Sequence, residues 1–373
     1  MEPATRLRDL VVVFGTLGVI GFGGPAAHIA LMRREVVERR RWLNDAQLLD
    51  LVGITNLIPG PNSTELAMLV GRMRAGAMGL MVAGLSFIIP AAGLVLALAW
   101  AYVTYGSTPT GAALLYGIKP VIIAIVAAAL VAFARTALTS PLRVAVAAVV
   151  AALWVLGVNE LILLAAGALI VAAARQGSRH PWVAIGVVLP ATAAASVNLL
   201  TLAGVFLKAG ALLYGSGYVL LAFLRADLVE RLGWLTDAQL LDAVAIGQVT
   251  PGPLFTTATF IGYVLAGVPG AVVATIAIFL PAFVFVALIG PIADRLRRRP
   301  LTAALLDGVN AAAIGLMAAV SLELGAEAIH DPLTILLAVG AGAGLLWGRV
   351  PSVVLVATGG LTGVAAGAAG IGP

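Results

Sequence analysis

Two triplets, Pro59-Gly60-Pro61 and Pro251-Gly252-Pro253, interrupt long apolar stretches and could open an anion site. Proline has no N–H, clashes with the preceding helical turn, and pushes the residue before it out of the α region. Each triplet therefore predicts a helix broken into two halves. A restarting half-helix presents unpaired N–H groups and a partial positive charge, which together favour an anion. Asn62, Ser63 and Thr64 follow the first break, and Thr256 and Thr257 follow the second. With the N–H groups after Pro61 and Pro253, these are the candidate substrate contacts. Lys119 and Lys208 are the candidate attracting charges. Lys119 lies inside the apolar run 111–134, where a lysine is costly and faces a cavity or a partner. A snorkelling structural charge is the plainer alternative. Glu65 has two readings: the end of a capping box begun by Asn62, or a buried carboxyl that couples a proton to transport.

The elements that must position these residues follow from composition. The chain has 373 residues, 61% of them hydrophobic and 10% charged, with a mean hydropathy of +1.09. Apolar runs of about 20 residues recur from end to end, the length of a membrane helix. The fold class is an all-α polytopic membrane protein in a lipid bilayer. The net charge of +5 reports orientation in such a chain, not nucleic-acid binding. There are no cysteines, so disulfides and thiolate metal sites are excluded. His28, His180 and His330 are too scattered for a metal site, and no cofactor is implied. No Ser/His pairing, zinc motif or paired-aspartate motif has the right spacing for an enzyme. The segment after Arg6 and Arg8 resembles a signal peptide, but it recurs in mid-chain, where no cleavage could occur.

That recurrence is an internal duplication. Residues 14–61 and 206–253 share 21 of 48 positions at an offset of 192, including Asp45 to Asp50 with Asp237 to Asp242. Later matches are looser: Phe87 with Phe279, Pro90 with Pro281, Gly117 with Gly308. Lys119 then falls opposite Asn310, with Asp307 one turn earlier. The domain reading is 1–181 for the first repeat, 182–205 for a linker helix and 206–373 for the second repeat. Asn44 and Gln47 read as a capping box that starts the helix before the first triplet.

If each broken helix crosses once, the chain makes about 13 crossings. Alternate loops then carry 15 and 6 basic residues, a positive-inside asymmetry. It predicts a cytoplasmic N-terminus, an outside C-terminus, and inverted repeats with Trp234 cytoplasmic and Trp42 outside. In the rival arrangement 46–71 and 238–263 are re-entrant, and the count is 13 against 8. The crossing form leaves the five arginines of 33–41 on the wrong side. Inverted repeats with broken helices are a transporter architecture.

Gly21-Phe22-Gly23-Gly24-Pro25, the arginine-rich stretch ending in Trp42-Leu43, and the first triplet resemble the first half of the chromate transporter family. Phe206 to Gly210, Gly215 to Tyr218, Trp234 to Asp237, Gln248 to Pro253 and Ala258 to Tyr263 resemble its second half. The resemblance spans nearly the whole chain and is to the long, two-domain form. It implies an inner-membrane secondary transporter that exports a tetrahedral oxyanion such as chromate, with sulfate as a look-alike dianion. The implied partner is a small inorganic anion, and a homodimer is compatible with this reading. Two alternatives stay open: an exporter of another small organic anion or amino acid, and a non-transport membrane protein or enzyme.

Overall fold

Proline and glycine decide where the helices stop, and the stops occur in matched pairs. A computed structural model describes residues 3–176, 197–213, 219–289, 299–347 and 350–370. The described residues contain helices and no strand. The first repeat comprises α1 (Pro3–Ile20), α2 (Gly24–Arg33, continued as a π-helical turn Arg34–Arg39), α3 (Asp45–Thr55), α4 (Asn62–Tyr105), α5 (Pro109–Ala137), α6 (Pro141–Val155) and α7 (Glu160–Gln176). The second comprises α8 (Leu199–Leu212), α9 (Leu220–Leu224, continued as the π-helical turn Arg225–Arg231), α10 (Asp237–Val249), α11 (Thr257–Ile289), α12 (Pro300–Ala328), α13 (Pro332–Leu346) and α14 (Ser352–Ala368). Four stretches are long and apolar enough to cross a membrane: Asn62–Tyr105, Pro109–Ala137, Leu254–Leu288 and Pro300–Ala328. Large apolar side chains such as Ile89, Leu288 and Leu336 remain more than 60% exposed, which is the surface lipid covers. The protein is a multi-pass membrane protein. Most of the expected linker helix at 182–204 lies outside the described residues, and its last residues open α8 instead.

The expected capping box forms: Gln47 N donates to Asn44 Oδ1 at 2.8 Å and Asn44 N to Gln47 Oε1 at 3.0 Å. Thr236 and Gln239 repeat it before α10. The second expected box does not form. Pro61 is the N-cap of α4, Asn62 donates to Asn56 instead, and neither carboxylate oxygen of Glu65 has a partner.

Each repeat begins with helices paired as hairpins. Arg40, just after the π-helical turn, lies 3.8 Å from Asp9 in the first half of α1, so α1 and α2 enter and leave at one end of the bundle. Trp42 precedes α3, and the Arg74 guanidinium lies 5.1 Å from its ring centroid. The stretch between them must therefore turn back at Pro59-Gly60-Pro61. Correspondingly, Gln239 and Asp242 near the start of α10 line one cavity together with Val264. Such paired arms fit the rival, re-entrant arrangement better than about 13 crossings. The five arginines of 33–41 now share an end with Arg74 and Asp9, which removes the anomaly they posed.

The chain turns again within α4. Ala75 and Gly76 leave helical geometry, and Gly76 takes φ +63°, a conformation that suits glycine. Arm 62–74 then folds back on arm 77–105. A Cβ on Gly71 would lie 2.2 Å from Gly79 O, and one on Gly79 would lie 2.0 Å from Gly71 O. In a straight helix those residues would be about 12 Å apart. Ala266, Gly267, Gly262 and Gly270 repeat the same turn and contact in α11. The offset is now 191, so the second repeat is one residue shorter here. Gly18 therefore abuts Phe87 O while Gly210 abuts Ile278 O, and Phe87 corresponds to Ile278, not to Phe279.

The repeats exchange contacts. Gly60 N donates to Leu213 O at 2.8 Å, and Gly252 N donates to Gly21 O at 2.8 Å. These are the same bond at the 192 offset. A Cβ on Gly252 would meet Ala91, and one on Gly60 would meet Ala282. Ala91 lies halfway along arm 77–105, so the breaks lie at mid-depth. Helices α5 and α12 run antiparallel: Tyr116 and Lys119 near the start of α5 share a cavity with Glu327 and Ala328, while Thr136 and Ala137 share another with Asp307 and Asn310.

Candidate functional site

The first break opens onto a cavity of about 330 Å³, within the range of small-ligand pockets. Thr55, Asn56 and Asn62 come from the break, Thr136 from the end of α5, Arg143 from α6, and Asp307 and Asn310 from α12. The two prolines hold the break open, which frees the Asn56 and Asn62 side chains to face the cavity. They bond to each other at 3.2 Å, and each amide keeps further donor and acceptor capacity.

Arg143 is the fixed point of this wall. Ser140 caps α6 by accepting from Arg143 N at 3.4 Å, and Pro141 stands in the first turn. Arg143 Nη1 donates to Ala137 O and to Thr139 Oγ1, both at 3.1 Å. Those acceptors include a carbonyl at the end of α5, where a cation is favoured. The other arm, Nη2, donates to Asp307 Oδ2. Arg175 of α7 also reaches Asp307 Oδ2, at 2.8 Å. Two guanidinium groups thus meet one carboxylate oxygen, leaving an excess of positive charge beside three amide side chains.

The residues singled out in the sequence do not all converge here. Asn62 lines the cavity; Ser63 and Thr64 are buried behind it at 3% and 0% exposure. Lys119 lies in a separate cavity of about 620 Å³. There it pairs with Asp242 at 3.3 Å, and Tyr102 donates to the same carboxylate at 2.9 Å. Lys208 lines a third cavity of about 520 Å³, paired with Glu160 at 2.9 Å and with Asp227. Both lysines are thus neutralised by acids. Thr256 and Thr257 turn their hydroxyls back onto Pro253 O and Leu254 O at 2.9 and 2.8 Å. The residues expected at one site between the two triplets thus lie apart, with Asn62, Lys119 and Lys208 at three separate cavities.

Glu65 is fully buried, and both of its oxygens lack a partner. A Cβ on Gly60 would lie 2.4 Å from Glu65 Oε1, so the carboxyl folds back against the break. Thr64 Oγ1 beside it is also buried and unpartnered.

Sequence reasoning used Arg143 and Arg175 only to count charge. The missed signal was position: Arg143 follows Ser140-Pro141, a helix start, and so lies within a helix and not in a loop. An aspartate at 307, inside an apolar span, was the matching signal.

Comparison with known proteins bears on the whole chain. A family model described as chromate transporter matches residues 8–172 and 200–364, two spans separated by the same offset of 192. The chain is 36% identical over 350 residues to a chromate transport protein of Cupriavidus metallidurans, covering 90% of this chain and 87% of that protein. It is 33% identical to a probable chromate transport protein of Synechococcus elongatus, covering 90% and 89%. It is also 33% identical to a chromate transport protein of Pseudomonas aeruginosa, covering 87% and 82%. No solved structure matches the chain.

Proposed function

The chain belongs to the chromate transporter family, and on that premise we propose that it exports a tetrahedral oxyanion of the chromate type, using the cavity beneath the first break. The observation that carries this reading is the fixed Arg143 guanidinium, set among Asn56, Asn62 and Asn310 at a broken helix. A tetrahedral oxyanion has four acceptors and no donor, and this wall offers donors from several directions. Sulfate has the same shape and charge, so it is the expected competitor.

Inverted repeats fit the antiparallel packing of α5 against α12, which are repeat mates. Each repeat would supply two hairpins and four crossings: arm 77–105 with α5, α6 and α7, and their mates. Assigned to the nearer end, and leaving out Lys119 within α5, thirteen described basic residues then fall at the end holding Arg74, against three (Lys208, Arg225, Arg231) at the other. By the positive-inside rule the first end is cytoplasmic, in an inner membrane, with residue 368 outside. Trp42 becomes cytoplasmic and Trp234 external, the reverse of the sequence expectation. The chain has no native cysteine, so single cysteines are readable with an impermeant maleimide. Positions 42 and 74 should label from one face and 234 from the other. Labelling of 42 and 74 from opposite faces would overturn the hairpins, and labelling of 42 and 234 from one face the inversion.

Under this reading the cavity at Arg143 opens to the cytoplasm and the cavity at Lys119 to the outside, as alternating access requires. Glu65, buried at the level of the break, is the group placed to couple a proton to the anion. Everted vesicles carrying the protein should take up labelled chromate faster than vesicles without it, and unlabelled sulfate should slow that uptake. Equal uptake in both preparations would reject the proposal.

A further inference from the structure

Asp307 does for Arg143 and Arg175 what a bound oxyanion would do. Its Oδ2 accepts from Arg143 and forms an ion pair with Arg175 at 2.8 Å, on the wall of the cavity that Asn56, Asn62 and Asn310 complete. We propose that Asp307 is a tethered counter-anion that the substrate displaces, and that this exchange lowers the affinity of the site and eases release of the anion. The proposal rests on reading this cavity as the anion site.

Three observations carry it. First, the partners come from different repeats: the arginines from α6 and α7, the aspartate from α12. They can part without unfolding any helix. Second, the partners differ in mobility. The Asp307 side chain is 27% exposed and that of Arg175 49%, while that of Arg143 is 11% exposed and anchored by Ala137 O and Thr139. A solvent-screened pair exchanges at little cost. A fixed, mostly buried guanidinium that loses its acceptor must be given another. Third, the feature exists in one repeat only. The mate of Asp307 is Tyr116, which donates its hydroxyl to Asp331 at 2.7 Å and cannot act as an anion.

The effect is on affinity. The two arginines attract a dianion more than a monoanion whether or not Asp307 is there, and the cost of breaking the Asp307 pairs is the same for every anion. The tethered carboxylate thus weakens the binding of all anions by a common factor, and by returning to the arginines it helps the bound anion to leave.

Sulfate and perchlorate share a shape and differ in charge, so the pair separates charge from fit. Their competition with labelled chromate would be measured on purified protein in nanodiscs, for the parent, Asp307→Asn, Asp307→Ser and Arg143→Gln. In the parent, sulfate should displace chromate better than perchlorate does. In the Asp307 variants both should bind more tightly, by about tenfold or more, the value of one charge interaction in a partly screened site. Sulfate affinity unchanged or weaker in folded Asp307 variants would overturn the proposal. If Arg143→Gln loses sulfate while the Asp307 variants keep the parent affinities, only the counter-anion idea fails. If Arg143→Gln binds sulfate as the parent does, the cavity is not the anion site and both readings fall.

Discussion

Arg143→Gln is expected to slow oxyanion transport about a hundredfold, since each charge-assisted hydrogen bond contributes roughly 1.5–3 kcal/mol and every 1.4 kcal/mol is tenfold. The substituted amide is long enough to approach Ala137 O and Thr139, the present acceptors of Nη1, so insertion and folding should survive. Arg143→Lys should retain part of the activity, because it keeps the charge and loses the planar fork. The comparison is made on initial rates of labelled chromate uptake in everted vesicles, normalised to protein in the membrane. Uptake in Arg143→Gln within twofold of the parent would remove Arg143 from the site. The effect should exceed that of Lys119→Gln, because Lys119 already has its charge matched by Asp242.

Glu65→Gln should abolish the pH dependence of transport while leaving anion binding intact or tighter. The capping alternative is closed to Glu65, since Pro61 caps α4 and both carboxylate oxygens lack partners. The substitution is nearly isosteric, so it replaces a group that gains and loses a proton with one that cannot. Among the described residues no charged side chain pairs with this carboxylate, so a proton is the remaining way to neutralise it. Initial rates and binding from pH 5 to 8 in both proteins decide the matter. A mutant that follows the parent at every pH places the proton path elsewhere.

Much of the framework was legible because it rests on local chemistry. The breaks follow from proline's missing N–H and fixed φ, and the box at Asn44 and Gln47 from three-residue spacing. The duplication was visible as identity at one offset. What was not legible is how halves return. A re-entrant hairpin and a crossing place the same prolines in the same apolar run, and it takes long-range contacts such as that of Arg74 with Trp42 to separate them. The turn at Ala75-Gly76 leaves few residues and no proline as a signal. The site was half legible for a related reason. Polar residues at the breaks announce themselves in the sequence, whereas the pairing of Arg143 with Asp307 joins positions 164 residues apart. Nor could the sequence disclose that Lys119 and Lys208 spend their charge on acids from other helices.

The reciprocal bonds of Gly60 to Leu213 and of Gly252 to Gly21 set a schedule for biogenesis. When the first half leaves the ribosome, the carbonyl of Gly21 can already accept from His28 Nε2, but the N–H of Gly60 has its partner, Leu213 O, only in the second half. At mid-depth an unsatisfied peptide group is costly, so the hairpin at Gly60 cannot seat until that partner is made. Leu213 follows Gly60 by 153 residues, or about 8–30 s at 5–20 residues per second. During that interval the nascent first half must lie at the membrane surface, against the insertion machinery, or against another chain. The halves expressed as separate polypeptides should therefore be degraded when made alone and persist when made together.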